Sequence, residues 1–402
     1  MSTCIYLDNN ATTRVDPEVV EAMLPYLCDY YGNPSSMHSF GGQVGAAVKE
    51  ARSQVAQLLG AEDSEIIFTS CGSESNNTAI HAALAAQPNK RHIITTEVEH
   101  PAVLNVCKHL EKKGYTVTYL SVNRQGQLDL SELEAAITGG TALVTMMYAN
   151  NETGVIFPVE QAGAIAKEYD ATFHVDAVQA VGKVPIDLKT SAIDLLTLSG
   201  HKLHAPKGVG ALYARRGFRF RPFLIGGHQE RGRRAGTENV PGVIGLGKAA
   251  ELAQRHLQNV NQERRLRDLL EQGLLDTICN TEVNGHPTQR LPNTANIGFK
   301  YIEGEAILFM LNQQGICASS GSACTSGSLE PSHVLRAMGI PYTILHGSIR
   351  FSLSRFTTEA EVVRVLEVMP EIVNRLRALS PFNSDEADWL QEREVAAVGA
   401  KS

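Results

Sequence analysis

The sequence predicts an α/β protein: an open, mostly parallel sheet with helices on both faces, and a second, smaller domain beginning near residue 260. Three observations carry this. Short apolar runs alternate with helical periodicity through the first half of the chain, which is the pattern of strand–helix–strand units. The runs end in turns of small polar residues, and in open sheets ligands sit beyond the carboxyl ends of the strands. A chain of 402 residues is also long for a single core, so a large domain with a smaller companion is expected.

Composition bounds the function. Hydrophobic residues make up 43% and charged residues 20%, as in a globular protein. A formal net charge of -7 argues against non-specific nucleic-acid binding. The stretch Met1–Asp8 lacks the basic and long apolar regions of a signal peptide. No run approaches the roughly 18 apolar residues of a spanning helix. No membrane association and a cytoplasmic location are therefore expected. The seven cysteines are scattered, odd in number and without C-x-x-C spacing. That is the usage of a reducing compartment, not of a disulfide framework or a zinc site.

The elements follow in order. After the apolar Ile5-Tyr6-Leu7 comes a polar cluster, Asp8–Thr13, rich in capping groups. Val19, Val20, Met23, Leu24 and Leu27 have helical spacing, and Gly32–Ser36 breaks the chain. A helix is expected from about Gln43 to Leu59, with Val44, Val48, Ala51, Val55 and Leu58 on one face. Strands are expected at Ile66–Thr69, His92–Thr96, Tyr115–Val122, Thr141–Tyr148, Thr172–Asp176 and Ile193–Leu198. Between them lie helices from Asn76, after His100-Pro101, after the cap Asp129, and over Pro158–Lys167. A glycine- and arginine-rich loop, Gly226–Asn239, leads into a long helical pattern from Val240 to about Asp276. The second domain then shows a strand at Thr294–Phe299, a helix at Glu305–Gln313, a short strand at Gly315–Ala318 and a strand at Ser348–Arg355. The tail after Ser380 is acidic and expected to fray.

Candidate chemistry gathers at the strand ends. Ser199-Gly200-His201-Lys202 follows a buried strand. A lysine in an apolar, partly desolvated site can present a neutral amine that forms a Schiff base with a carbonyl. The turn Ser70–Ser75 opens a helix at Gly72 and Ser73, and free N–H groups at a helix start suit a phosphate. His100, Asn151 and Asp176 fall at three further strand ends. A cap, a core histidine, a turn asparagine and a paired aspartate would explain each of these singly. Five compatible groups at five strand ends are harder to explain that way. A Schiff-base lysine, a phosphate cradle and a strand-end aspartate together describe a site for pyridoxal 5'-phosphate, with the aspartate keeping the pyridine nitrogen protonated. His100 is the candidate to cover the ring. The run Ser319–Ser328 is small and polar throughout, cannot pack into a core and should be mobile. Cys324 in its middle is an incidental thiol or a delivered nucleophile. Either Arg350 or Arg355 could clamp a carboxylate.

These stretches resemble the cysteine desulfurases of the NifS/IscS type, within the class V aminotransferase superfamily. The likeness runs from Tyr6–Thr13 to about Pro381. It is carried by Asn150-Asn151-Glu152-Thr153-Gly154, His174–Gln179, Ser199–Lys202 and Ser319–Ser326. It implies the fold type I architecture of pyridoxal-phosphate transferases: a seven-stranded sheet in a large domain, residues 16–258, and a small α+β domain of residues 1–15 and 259–402 with a mobile cysteine loop at about 319–332. It implies that Lys202 carries the Schiff base, that Asp176 pairs with the pyridine nitrogen, and that Gln179 bonds the ring hydroxyl. Gly72, Ser73, Ser199 and His201 would bind the phosphate, joined by Thr237 from a partner subunit. Asn151 and Arg350 would hold the substrate carboxylate, and His100 would stack on the ring and shuttle protons. Family members often carry threonine at Ser73; serine keeps the hydroxyl donor.

The implied reaction removes sulfur from L-cysteine. Cys324 takes it as a persulfide and alanine is left. Transient iron–sulfur ligation through Cys324, a homodimer, and a NifU-like iron–sulfur scaffold as acceptor are implied as well. Gly227–Asn239 and His346–Arg350 resemble the nitrogen-fixation branch, so sulfur supply for nitrogenase clusters is expected. The alternatives are a housekeeping desulfurase serving general cluster assembly and tRNA thiolation, a selenocysteine lyase, an ordinary class V aminotransferase, and an inactive scaffold for cluster assembly.

Overall fold

The computed structural model describes residues 4–320 and 331–381. Its main sheet has seven strands: β2 (Ile66–Thr69), β3 (His92–Thr96), β4 (Thr116–Leu120), β5 (Thr141–Met147), β6 (Thr172–Asp176), β7 (Leu195–Ser199) and β8 (Gly210–Ala214), after a short β1 (Ile5–Tyr6) outside it. The spatial order is β2-β8-β7-β6-β5-β3-β4. Pairing is parallel from β4 through β7, and β8 runs antiparallel to both β7 and β2. Two reversals bring β2 back to the direction of β7. The carboxyl ends of β2, β3, β5, β6 and β7 therefore share one edge. Strands β5 to β8 are buried along their whole length, as expected of a sheet covered on both faces.

One face packs on the helix Ser39–Leu59 and the helix Val240–His256, with Val44, Val48, Val55, Leu246 and Ala250 in that core. The other face packs on the helices Gly72–Ala86 and Pro101–Glu111 through Ala79, Ile80, Val103 and Leu110. A separate core holds Leu7, Leu266, Leu270, Ile297, Phe299, Phe351, Val365 and Met369. It lies around β9 (Thr281–Val283), β10 (Thr294–Phe299) and β12 (Ser348–Ser352), an antiparallel sheet of order β12-β10-β9. The segment that follows residue 330 returns to the first core with Val334, Leu335, Met338, Ile344 and Leu345. β1 pairs in parallel with β11 (Ile316–Cys317).

Several expectations differ from what folds. The pattern from Val240 is two helices, Val240–His256 and Asn261–Thr277, parted by the 3-10 turn Leu257–Asn259. Asn259, Val260 and Asn261 are weak helix formers, and the two halves serve different cores. The first amphipathic stretch splits at Pro25 into Pro17–Met23 and Pro25–Cys28, because proline has no N–H to continue the ladder. Strand β8 and the helix Glu359–Leu379 have no counterpart in the sequence reading. Thr358 and Glu361 form a reciprocal capping box at that helix's start. No helix among the described residues is long and apolar enough to cross a membrane.

Candidate active site

The shared carboxyl edge opens on a cavity of about 190 Å3 lined by Gly72, Ser73, His100, Asn151, Asp176, Gln179, Ser199, His201, Lys202 and Arg350 among others. Ten of the twelve sequence-predicted site residues thus meet in one place. Thr237 is exposed and does not line it. Cys324 lies outside the described residues. Asn10, Ala11, Cys71, Asn76, Ala102, Met147, Ala149 and Val178 complete the wall.

Asp176 closes β6 and is nearly buried. Its Oδ2 accepts from Asn76 Nδ2 at 2.7 Å, and its Oδ1 accepts from the Val178 N–H at 3.0 Å. Both bonds fix the carboxylate's plane while leaving it on the cavity wall. The helix Gly72–Ala86 begins at an N-cap, Cys71, whose side chain does not cap it. Its first N–H groups have no intrahelical acceptor and the positive end of the helix dipole lies there. A Cβ built on Gly72 would stand 3.0 Å from Val178 Cγ2 and 3.4 Å from Ser199 Cβ, so glycine keeps that corner open. Ser199 Oγ is buried and has no hydrogen-bond partner. Buried hydroxyls ordinarily find one. An uncapped helix start, a missing Cβ and an unmatched hydroxyl fit a phosphate. Glu74, one turn into the helix, does not oppose it. Burial works against its ionisation, but hydrogen bonds from Arg234 and Ser70 hold its pKa below the ordinary value. Its oxygens are taken by Arg234 Nε at 2.8 Å and by Ser70 N at 2.8 Å. Arg234 thereby ties the glycine- and arginine-rich loop to the helix start.

Lys202 follows β7 in a single 3-10 turn. Its Nζ donates to the Asn10 carbonyl at 2.5 Å and the Ala11 carbonyl at 2.6 Å. Asn10 is a hub: its side chain also bonds Asn151 O and Thr294 Oγ1, and its carbonyl takes Gln179 Nε2 at 2.9 Å. Gln179 Oε1 in turn accepts from Lys183 Nζ at 2.8 Å. Burial, with the cations Lys202 and Arg350 nearby, lowers Lys183 to about 7. Desolvation and the neighbouring cations Lys202 and Lys207 lower His201 to about 4, and its Nδ1 bonds Thr12 Oγ1 at 3.1 Å. His100 caps the helix Pro101–Glu111, its Nδ1 accepting from the Ala102 N–H at 3.1 Å. Burial, with Lys202 and His333, lowers its pKa against the pull of Asp176. A neutral imidazole that accepts at Nδ1 carries its proton on Nε2. Arg350 is 2% exposed. Its Nη2 pairs with Asp8 Oδ1 at 2.7 Å, its Nη1 donates to Asn151 O at 3.1 Å, and its Nε is buried without a partner.

Asn10, Ala11 and Asn76 were not singled out by sequence reasoning. For Asn10 and Ala11 the contribution is largely a backbone carbonyl, which no side-chain pattern reports. Asn76 carried a weak signal: a polar residue, later fully buried, one turn past Gly72 on the helix face that meets the sheet.

The aminotransferase class-V family model matches residues 5–365. A protein named cysteine desulfurase 2 from Trichormus variabilis is 78% identical over 392 residues, 98% of each chain. Cysteine desulfurase NifS of Azotobacter vinelandii is 62% identical over 380 residues, 94% of each. A solved structure titled NIFS-like protein superposes with a TM-score of 0.87 at 40% identity, covering 93% of this chain and all (100%) of that one. A cavity at the carboxyl edge of a mostly parallel sheet, furnished with a lysine, an aspartate and an open helix start, is thus accompanied by likeness along nearly the whole chain, which belongs to the aminotransferase class-V family.

Proposed function

We propose that this chain is a pyridoxal-phosphate-dependent cysteine desulfurase that converts L-cysteine to L-alanine and passes the sulfur on as a persulfide. The observation that carries the reading is the meeting of Lys202, Asp176 and the open helix start at Gly72 in one cavity. Likeness to proteins named cysteine desulfurase along 98% of the chain narrows the reaction within the family. Likeness to the NifS of Azotobacter vinelandii supports sulfur supply to nitrogenase clusters, with a NifU-like scaffold as acceptor.

Bound pyridoxal phosphate supplies an aldehyde for an amine and a ring that accepts the electrons of a lost α-proton. Gly72, Ser73, Ser199 and His201 hold its phosphate, with Thr237 reaching across from a partner subunit. Asp176, fixed by Asn76, holds a proton on the ring nitrogen. Gln179 serves the ring hydroxyl. The Lys202 amine is released from the Asn10 and Ala11 carbonyls for reaction and then moves the substrate's α-proton. His100 would cover the ring, and its Nε2–H could give and recover a proton near the substrate sulfur. Arg350 and Asn151 orient the substrate carboxylate; the Arg350 guanidinium must share its Nη2 with Asp8 or release it. The Cys324 thiolate attacks the substrate sulfur: a new S–S bond forms, the substrate's C–S bond breaks, and the carbon fragment, once protonated, is alanine.

The direct test is an assay of alanine and sulfide from L-cysteine with reconstituted protein. A Cys324→Ala variant is expected to keep the cofactor's visible absorption and to lose sulfide release, by about two to four orders of magnitude for loss of a nucleophile. Turnover of cysteine by that variant at the parent rate would sink the persulfide route.

A further inference from the structure

At the outer end of the small parallel pair, two thiols face each other. Cys4 precedes β1 and is exposed; Cys317 ends β11 and is half-buried. Their sulfurs stand 3.2 Å apart. The register explains the meeting. Ile5 pairs with Ile316 and Tyr6 with Cys317, while Ile5 N–H and Leu7 N–H bond the carbonyls of Gly315 and Cys317 at 2.9 and 2.8 Å. The two backbones are thus locked side by side, and alternation puts Cys4, Tyr6 and Cys317 on the same face of the pair. Ile5 and Ile316 point to the other face, into the small core. The remaining four described cysteines, Cys28, Cys71, Cys107 and Cys279, have no thiol partner.

We propose that Cys4 and Cys317 form a reversible dithiol–disulfide site, distinct from the catalytic cavity, that takes a low-molecular-weight disulfide as its oxidant. A disulfide needs about 2.05 Å between sulfurs, so roughly 1 Å of closure remains, and Cys4 can supply it from outside the ladder. The chemistry balances in two exchanges. The Cys4 thiolate attacks one sulfur of the small disulfide, forming a mixed disulfide and releasing one small thiol. The Cys317 thiolate then attacks the Cys4 sulfur and expels the second small thiol. Two protein thiols lose two electrons and two protons, and the small disulfide becomes two thiols. The second step is gated. In the dithiol, burial, then the Cys4 neighbour and Asp8, push the Cys317 thiol up to about 11; burial and Asp8 still act once Cys4 is in the mixed disulfide, so closure should quicken as pH rises from 7 to 9.

The position gives the bond a consequence. Four residues past Cys4, Asp8 holds Arg350 Nη2. Two residues past Cys317, Ser319 exchanges backbone bonds with Arg350 at 3.2 and 2.6 Å. The disulfide would join the two segments that grip the same arginine.

The full-length protein is incubated with oxidised glutathione and its peptides are mapped by mass spectrometry without reduction. The expected product is a peptide pair joined through Cys4 and Cys317, reversed by dithiothreitol, forming faster at pH 9 than at pH 7. It should persist in a Cys324→Ser protein and vanish in Cys4→Ser and Cys317→Ser. Glutathione adducts that stay on Cys4 without closing at either pH would overturn the proposal. So would a crosslink to Cys324 in place of this one. Neither readout depends on desulfurase turnover.

Discussion

Glu99 carries a carboxyl into the interior with only one oxygen matched. Oε1 accepts from Thr96 Oγ1 at 2.7 Å and from the Met147 N–H at 2.9 Å, and Oε2 has no partner. Burial, aided by the charge of Asp176, raises its pKa from 4.5 to about 8. The sign follows from linkage. The folded chain keeps a proton there that the unfolded chain releases above 4.5, so this contribution to stability is intact at acid pH and drains away as pH rises through 8, at up to about 1.4 kcal/mol per pH unit. A Glu99→Gln variant is neutral throughout and keeps the accepting oxygen. Urea unfolding of the cofactor-free proteins at pH 5 and pH 8 should show the parent losing stability relative to the variant as pH rises; equal slopes would contradict the raised pKa. Asn76 makes a second prediction. Its Nδ2 is a fixing donor to Asp176, and removing it leaves a nearly buried carboxylate short of one bond, which costs about 1–3 kcal/mol. Asn76→Ala should lower the urea midpoint of the cofactor-free protein. It should also shift the pH titration of the bound chromophore if, as proposed, Asp176 partners the ring nitrogen, because losing the Asn76 donor changes that carboxylate's basicity and placement. An unmoved chromophore titration would make Asn76 a packing residue only.

The start of the helix Gly72–Ala86 is where element and chemistry coincide. Gly72→Ala adds a Cβ at 3.0 Å from Val178 Cγ2, in the corner where the phosphate is proposed to sit. Equilibrium dialysis against pyridoxal phosphate should show affinity falling about tenfold or more, equivalent to roughly 1.4 kcal/mol, with little change in unfolding. Unchanged affinity would move the phosphate elsewhere. At this scale the sequence was unevenly legible. Strands β5 and β7 are largely apolar and β6 carries Phe173 and Val175 around His174, each bounded by turns, and their ends locate Asp176 and Lys202 in the sequence. β8 was missed although equally apolar, because the Gly208 turn before it masks a reversal that only pairing with β7 reveals. The helix Glu359–Leu379 was missed despite a T-x-x-E start, Thr358 to Glu361. The tie between Lys202 and the Asn10 carbonyl could not be read, because it joins residues 192 apart through a backbone oxygen.

At the scale of the whole molecule, the described chain leaves apolar side chains in water: Leu24, Leu27, Tyr31, Met37 and Ile225 are all more than half exposed, Met37 fully. Exposed apolar side chains that gather into one patch ordinarily mark an interface. We propose that a homodimer would cover such side chains and would give exposed Thr237 a role on the neighbouring subunit's phosphate. Complementation separates that arrangement from a role within one subunit. A Lys202→Ala protein has no reacting amine. A Thr237→Val protein keeps the amine but loses one donor, which weakens cofactor binding by about 1–2 kcal/mol and leaves it poorly loaded at limiting pyridoxal phosphate. Suppose the two are unfolded together and refolded, so that subunits mix. If Thr237 acts across the interface, each mixed dimer contains one site with Lys202 from one chain and Thr237 from the other, both intact. Sulfide release at limiting cofactor should then exceed the mean of the two parents, toward a quarter of the unmutated rate for random pairing, since about half the dimers are mixed and each has one good site of two. If Thr237 serves its own subunit, no mixed dimer contains an intact site and the mixture shows only the average. Failure of the mixed sample to rise above that average, with mixing verified by a tag on one variant, would place Thr237 outside the partner's site.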